Sequence, residues 1–463
     1  MLSPSNIFVA FLFLVCAWGP ANAAPTDDYV AAQMRQLHIP GLSLAVVRDG
    51  QVIKSHGYGL ANVELNSPVT ADTVFELGSI TKQFTATATM MLVEEGKLGL
   101  DDKISKYLAG VPEAWSEITI RHLLTHSSGI QNYLAVPNFP DIHRDGLSHD
   151  EITKLFFQRL QLEFPPGETW AYSNSGYLLL GNIIEKVSGK SYWQFLDERI
   201  FKPLGMNATR NSEPAAIITN RARGYEWHNQ KLENRPPLAE NAYAAGSIVS
   251  TARDMAKWDA ALYSEELLKR SSFAQMWTPY QAKGKALAPF NYGFAWFVDT
   301  YHGHRVIAHS GGTPGFSSVI YRFVDDKFTV IILTNHADRV IDHLAIDIAG
   351  MYVPALARGK RAGVEPDAKT SQMLKQAMSD LIAGKPDAAR FTPAMQLFLT
   401  TVTGKGIWQW AGADGEMKSF AFSESEAEGP SRILRYQAVL GEATHWFSFT
   451  ITPEGRIAQI NWW

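Results

Sequence analysis

Ser79 and Lys82 stand three residues apart in "FELGSITKQFTA" (75–86), a stretch whose residue types could do chemistry. If the run is helical, the two side chains share a face. A serine hydroxyl is a poor nucleophile until a base takes its proton, and an amine one turn away is such a base. The start of a helix adds positive potential beside Ser79, where backbone N–H groups can face a developing oxyanion. "WAYSNSGYLLLG" offers Tyr172 and Asn174 in a loop leading into an apolar helix. A tyrosine titrates near pH ~10, so it acts as a base only where a cation such as Lys82 favours the phenolate. "AHSGGTPG" offers His309, Gly311 and Gly312 at the end of a strand-like run. Glycines there let a substrate backbone lie against the strand edge and leave N–H groups for a carbonyl oxygen. Each stretch also has an ordinary reading: a solvated lysine, a packing aromatic, a glycine turn leaving a strand.

Other reactive-looking residues read as structural. His122 and His126 in "RHLLTH" have a helical metal-binding spacing but lack the glutamate of H-E-x-x-H and a third ligand, so they belong to a helix-to-loop turn. "SGKS" (188–191) has Ile184 where a phosphate loop needs its first glycine, and reads as a helix end. "HGH" (302–304) reads as a turn between strands, and Glu76 as a buried structural carboxylate. Trp408, Trp410, Trp446, Trp462 and Trp463 have the spacing of strand core. No metal and no cofactor is expected.

The elements that must position these residues follow from periodicity. Residues 28–38 pattern as an amphipathic helix stopped by Pro40, and 42–59 as two strands about the Asp49-Gly50 turn. Ser79 to about Glu95 is helical, with Gly96 as its cap. Residues 100–270 are mostly helical, broken by loops such as "FPPGETWAYSNSG". "HRVIAHS", "FSSVIYRF" and "FTVIILTN" are strands, followed by a helix near 338–354. Strands at both ends of a unit with helices between them imply one antiparallel sheet with a helical insertion. Beyond a charged, Gly- and Pro-containing linker, one helix (about 369–384) precedes several alternating strands.

Composition narrows the function classes. The chain has 463 residues, 46% of them hydrophobic, and a formal net charge of −4, which leaves no basic excess for nucleic acid. "NIFVAFLFLVCAW" is too short to cross a bilayer but suits a signal peptide, with "ANA" (21–23) as the cleavage segment. The expectation is export to the periplasm or beyond, cleavage after Ala23, and no membrane span in the mature chain. The single cysteine, Cys16, lies in that leader, which excludes disulfides and thiol catalysis from the mature chain.

In this order and with these surroundings, the S-x-x-K, Y-x-N and H-x-G stretches resemble the serine β-lactamase-like superfamily of class C β-lactamases, D,D-peptidases, D-aminopeptidases and esterases. "ITIRHLLTHSSGI", "FPPGETWAYSNSGYLLLGNIIEKVSG", "AAGSIVSTARDMAKW" and "NYGFAWFVD" add to the likeness, which covers roughly residues 28–356. The resemblance implies an antiparallel sheet flanked by helices with an all-helical subdomain. It assigns Ser79 as the acylated nucleophile, Lys82 and Tyr172 as shared general bases, and Asn174 as a partner of substrate or Lys82. His309 and Gly311 would bind substrate, and the N–H groups of Ser79 and Gly312 would form the oxyanion hole. One departure stands out: no Lys-Thr-Gly occurs, and a mostly neutral imidazole at His309 weakens attraction for a substrate carboxylate. Peptide amides, including D-residue amides, or small esters are therefore the expected substrates. A silent penicillin-recognising-type binding protein and a weak class C-like β-lactamase are the alternatives. The expected layout is a leader (1–23), a hydrolase domain (24–358), a linker (359–368) and a small α+β accessory domain (369–463), whose helix-then-strands order suggests a nuclear-transport-factor-like cone. Lid, dimer contact and cell-wall docking are open roles for it.

Overall fold

The computed structural model describes residues 23–139, 146–213, 215–236, 242–283, 286–337, 341–358, 366–441 and 443–462. The leader, Cys16 and most of the expected linker lie outside them. Strands β1 (Gly41–Arg48), β2 (Gln51–Asn62), β3 (Ser67–Pro68), β4 (Phe297–Tyr301), β5 (His304–Thr313), β6 (Phe316–Phe323) and β7 (Phe328–Thr334) form one sheet in the order β4-β5-β6-β7-β1-β2-β3. All neighbours pair antiparallel. The sheet thus joins the two ends of the matched unit: β1 pairs β7 from Leu42↔Thr334 to Arg48↔Phe328.

Alternation explains why β1 and β7 sit in the middle. Leu42, Leu44 and Val46 enter one core with Val330 and Ile332, beneath helices Ala23–Gln36 and Asp342–Tyr352. Ala45, Val47, Ile331 and Leu333 face the other way, into the large helical core. A strand buried on both faces reads as an unbroken apolar run. Helix Ala252–Ala261 is pinned to that second face by the buried pair Arg322–Asp259 at 2.6 Å, with Thr329 donating to the same carboxylate at 2.9 Å.

The helical reading of 100–270 holds for its helices but missed a hairpin, Gly224–His228 with Lys231–Arg235. Its turn residues Asn229 and Gln230 both have positive φ, a geometry that matches strand twist. The edge strand β4 and two C-terminal helices, Pro393–Thr400 and Val402–Ala413, were also not anticipated. Glycines 404, 406 and 412 lower helix propensity in the last of these, and packing overrides them.

Helices Ala368–Ile382, Pro393–Thr400 and Val402–Ala413 precede a four-stranded antiparallel meander: Met417–Glu428, Ser431–Leu440, Ala443–Ile451 and Ile457–Trp462. Their core takes in Trp170, Phe290 and Tyr292 beside Leu374, Phe398 and Leu434, so the C-terminal segment shares apolar packing with the loop that carries Tyr172. Polar ties join them too. Thr169 donates to the Ala394 carbonyl at 2.9 Å and Thr403 to the Tyr172 carbonyl at 3.1 Å. Trp408 is core, as expected; Trp446 is half-buried beneath the Arg358 guanidinium.

Candidate active site

Ser79 sits in a 3-10 turn, Gly78–Ile80, that runs directly into helix Thr81–Glu94. Gly78 has φ +51, and a Cβ there would strike the Gly312 backbone at 2.7 Å, so only glycine lets β5 close on the turn. The Leu77 carbonyl accepts from Ser318 at 2.8 Å, and Leu77 N–H donates to Ile248 at 2.9 Å. The helix is buried from Thr81 to Leu92; Thr85 donates to the Ala244 carbonyl and Thr89 to that of Thr85.

Lys82 is fully buried. Its Nζ lies 2.7 Å from Asn174 Oδ1, 2.8 Å from the Ala245 carbonyl oxygen and 3.1 Å from Ser79 Oγ. Burial holds its pKa well below the usual lysine value. A neutral amine has two N–H donors and one lone pair. Two of the neighbours are carbonyl oxygens that only accept, and the third is a hydroxyl that can donate. The free amine therefore matches its surroundings, with its lone pair left for the Ser79 proton. Asn174 opens helix Asn174–Ser188, capped by Ser173, and also donates to Asn132 at 3.3 Å. Of the two partners expected for Asn174, the structure gives it Lys82.

Tyr172 joins the cluster in a different way from the one expected. Lys82 Nζ lies 4.8 Å from its ring centroid, over the face and not against the hydroxyl. Burial raises the phenol pKa above its ordinary value, and the approach of the Ser79 hydroxyl pulls the other way. Both groups are desolvated, and desolvation favours the free amine and the protonated phenol over the phenolate expected of a shared base.

His309 is buried, with Nδ1 2.5 Å from the Ser310 carbonyl and Nε2 3.1 Å from the Tyr292 hydroxyl. Nδ1 must carry the proton that the carbonyl accepts, so Nε2 accepts from Tyr292. Burial, then repulsion from Lys82, pushes its pKa down to about 3. The imidazole is neutral with both nitrogens committed, and offers substrate a wall without a charge. Gly311, expected to bind substrate, is buried, and a Cβ there would meet the Leu77 carbonyl at 1.9 Å. Its role is close packing of β5 on the nucleophile turn. Gly312 is the exposed position with open space beside it.

Sequence reasoning kept His126 out of the site. It is a turn residue with φ +56, and its ring stands 4.3 Å from that of Tyr172 and 4.8 Å from that of Tyr292. Ser173 N–H donates to its Nδ1 at 3.2 Å, which fixes the loop carrying Tyr172 and Asn174. His122 instead caps helix Ile120–Leu124, and Glu76 is paired with Arg221 at 3.2 Å, as structural residues. Asn132 also went unnoticed, since nothing local marks it. Among the described residues no His, Cys, Asp or Glu cluster is arranged to hold a metal, and no helix is long and apolar enough to cross a membrane.

A hydroxyl beside a desolvated amine, under a protonated phenol and next to a strand edge, is a constellation for acyl transfer. Comparison with known proteins agrees with that geometry. Residues 26–351 match the family described as "Beta-lactamase". The chain belongs to that family, and its fold is that of the class. It is 34% identical over 303 residues to penicillin-binding protein 4* of Bacillus subtilis, covering 62% of this chain and 66% of that protein. The octameric penicillin-binding protein homologue of Pyrococcus abyssi has the same fold, with TM-score 0.63 at 23% identity over 94% of both chains. The D-amino acid amidase of Ochrobactrum anthropi aligns with TM-score 0.60 at 27% identity, over 69% of this chain and 92% of that one.

Proposed function

We propose that this protein hydrolyses amides, and small esters, through an acyl-enzyme on Ser79, with D-amino-acid amides and peptides as the preferred class. The observation that carries the reading is the fully buried Lys82 amine, 3.1 Å from Ser79 Oγ and held by two carbonyl acceptors. Lys82 takes the hydroxyl proton as Oγ bonds to the substrate carbonyl carbon. The N–H groups of Ser79 and Gly312 receive the oxyanion. The proton held by Lys82 then passes by way of the Tyr172 hydroxyl to the departing nitrogen or oxygen, leaving the amine neutral and the phenol protonated. Water then attacks the ester, Lys82 again takes a proton, and Ser79 is regenerated. Likeness to a D-amino acid amidase supports the substrate class. The neutral His309 argues against efficient β-lactam turnover, because a substrate carboxylate meets no fixed cation there. The leader supports an exported enzyme.

Intact-protein mass spectrometry after a fluorophosphonate probe tests the reading. One adduct on the wild type and none on Ser79→Ala is the expected result. An unlabelled wild type, or an adduct that survives Ser79→Ala, overturns it.

A further inference from the structure

A cavity of about 380 Å³ lies between the main sheet and the C-terminal meander. That volume is in the range of small-molecule sites. One end reaches the catalytic cluster, where Tyr172 and His309 form part of the wall beside Trp170. The Trp170 indole N–H is buried there and, among the described residues, bonds to no protein group. The lining also holds Asp299 and Asp342. Asp342 accepts from the Tyr321 hydroxyl at 3.0 Å, and among the described residues no cation pairs with it. Arg435, the cation in the lining, is already paired with Glu424 at 3.3 Å and Glu426 at 3.0 Å. An indole donor without an acceptor and a carboxylate without a cation, in one apolar lining, describe a ligand of the opposite pattern.

We propose that this cavity is the substrate's acyl subsite, taking an apolar chain that ends in an amine several atoms from the reacting carbonyl. The amine meets Asp342 and the chain lies along Phe297 and Trp170. The inference rests on the acyl-enzyme reading for its catalytic consequence. A carboxylate facing a desolvated cavity without a cation is costly, and a ligand ammonium relieves that cost; desolvation accordingly raises the Asp342 pKa to about 6. It also gives the C-terminal meander a role, since Ser448 and Thr450 supply one wall.

The test compares 6-aminohexanoyl and hexanoyl p-nitroanilides, which differ only in the terminal amine. In the wild type, kcat/KM for the amine substrate exceeds that for its partner by about tenfold or more, the size of one charge-assisted contact. Asp342→Asn collapses that ratio, and Ser448→Phe, which fills the cavity, raises KM for both. An unchanged ratio in Asp342→Asn overturns the proposal, and that isosteric variant decides the matter if Ser448→Phe does not fold. Hexylamine binding to Ser79→Ala by calorimetry separates this inference from the catalytic one. Binding that Asp342→Asn weakens supports the subsite even if neither anilide is cleaved. Hexylamine that does not bind, or binds no better than hexan-1-ol, refutes it.

Discussion

His309 should make the folded protein acid-labile by a predictable amount. The unfolded chain carries an ordinary imidazole near pH 6.5, while the folded one holds it at about 3. Below pH 6.5 the unfolded state therefore binds a proton that the folded state refuses. The folded pKa is the depressed one and the group is a base, so stability is whole above about 6.5 and falls as pH drops toward 3. Each unit is worth about 1.4 kcal/mol, so moving from pH 7.5 to pH 5 costs about 2 kcal/mol from this residue alone, and the whole loss, complete below about pH 3, is about 5. The measurement is urea unfolding across that range for the wild type and His309→Gln, which keeps an amide donor and acceptor in the slot. Other buried groups, His126 among them, titrate in both proteins and cancel in the difference. The two curves should converge toward low pH, because the variant lacks this loss. Parallel curves, or a His309 ring nitrogen signal titrating near pH 6.5 in the wild type, would refute the argument. The same neutrality predicts no inflection from His309 in the pH–rate profile between about pH 5 and 9.

Lys82→Met should lower kcat/KM by about 10²- to 10⁴-fold, the span of a lost general base, read from steady-state hydrolysis of a D-amino-acyl anilide. The wild-type acidic limb should lie well below the ordinary lysine pKa and vanish in that variant. Gly311→Ala should destabilise by at least about 2 kcal/mol in chemical denaturation, because its Cβ meets the Leu77 carbonyl at 1.9 Å. Gly312→Ala, with nothing within 4 Å, should stay within about 0.5 kcal/mol of wild type. Asp259→Ala strands the buried Arg322 guanidinium and should cost about 3–5 kcal/mol by the same assay, while exchanging both partners for apolar residues costs less.

Short-range pattern carried much of this protein. The i, i+3 spacing of Ser79 and Lys82, the apolar alternation of the strands and the Asp49-Gly50 turn depend only on neighbours in the chain, so they were legible without coordinates. The order of the three site stretches went further and disclosed the family. The hairpin at 224–235 and the helices at 393–413 were not legible, because glycines and mixed periodicity there are overruled by packing against distant residues. Protonation states were out of reach for a related reason. The sequence put an ammonium beside a tyrosine and so suggested a phenolate. The fold instead closes the Ala245 carbonyl and Asn174 over the amine and shields the phenol, and desolvation disfavours both charges. Likewise Gly311 and Gly312 are equivalent letters in the sequence. Only the approach of the Leu77 carbonyl makes one a packing position and the other an open edge. Bond connectivity and periodicity decided which groups this chain owns; the exclusion of water by remote segments decided what charge they carry and which way they face.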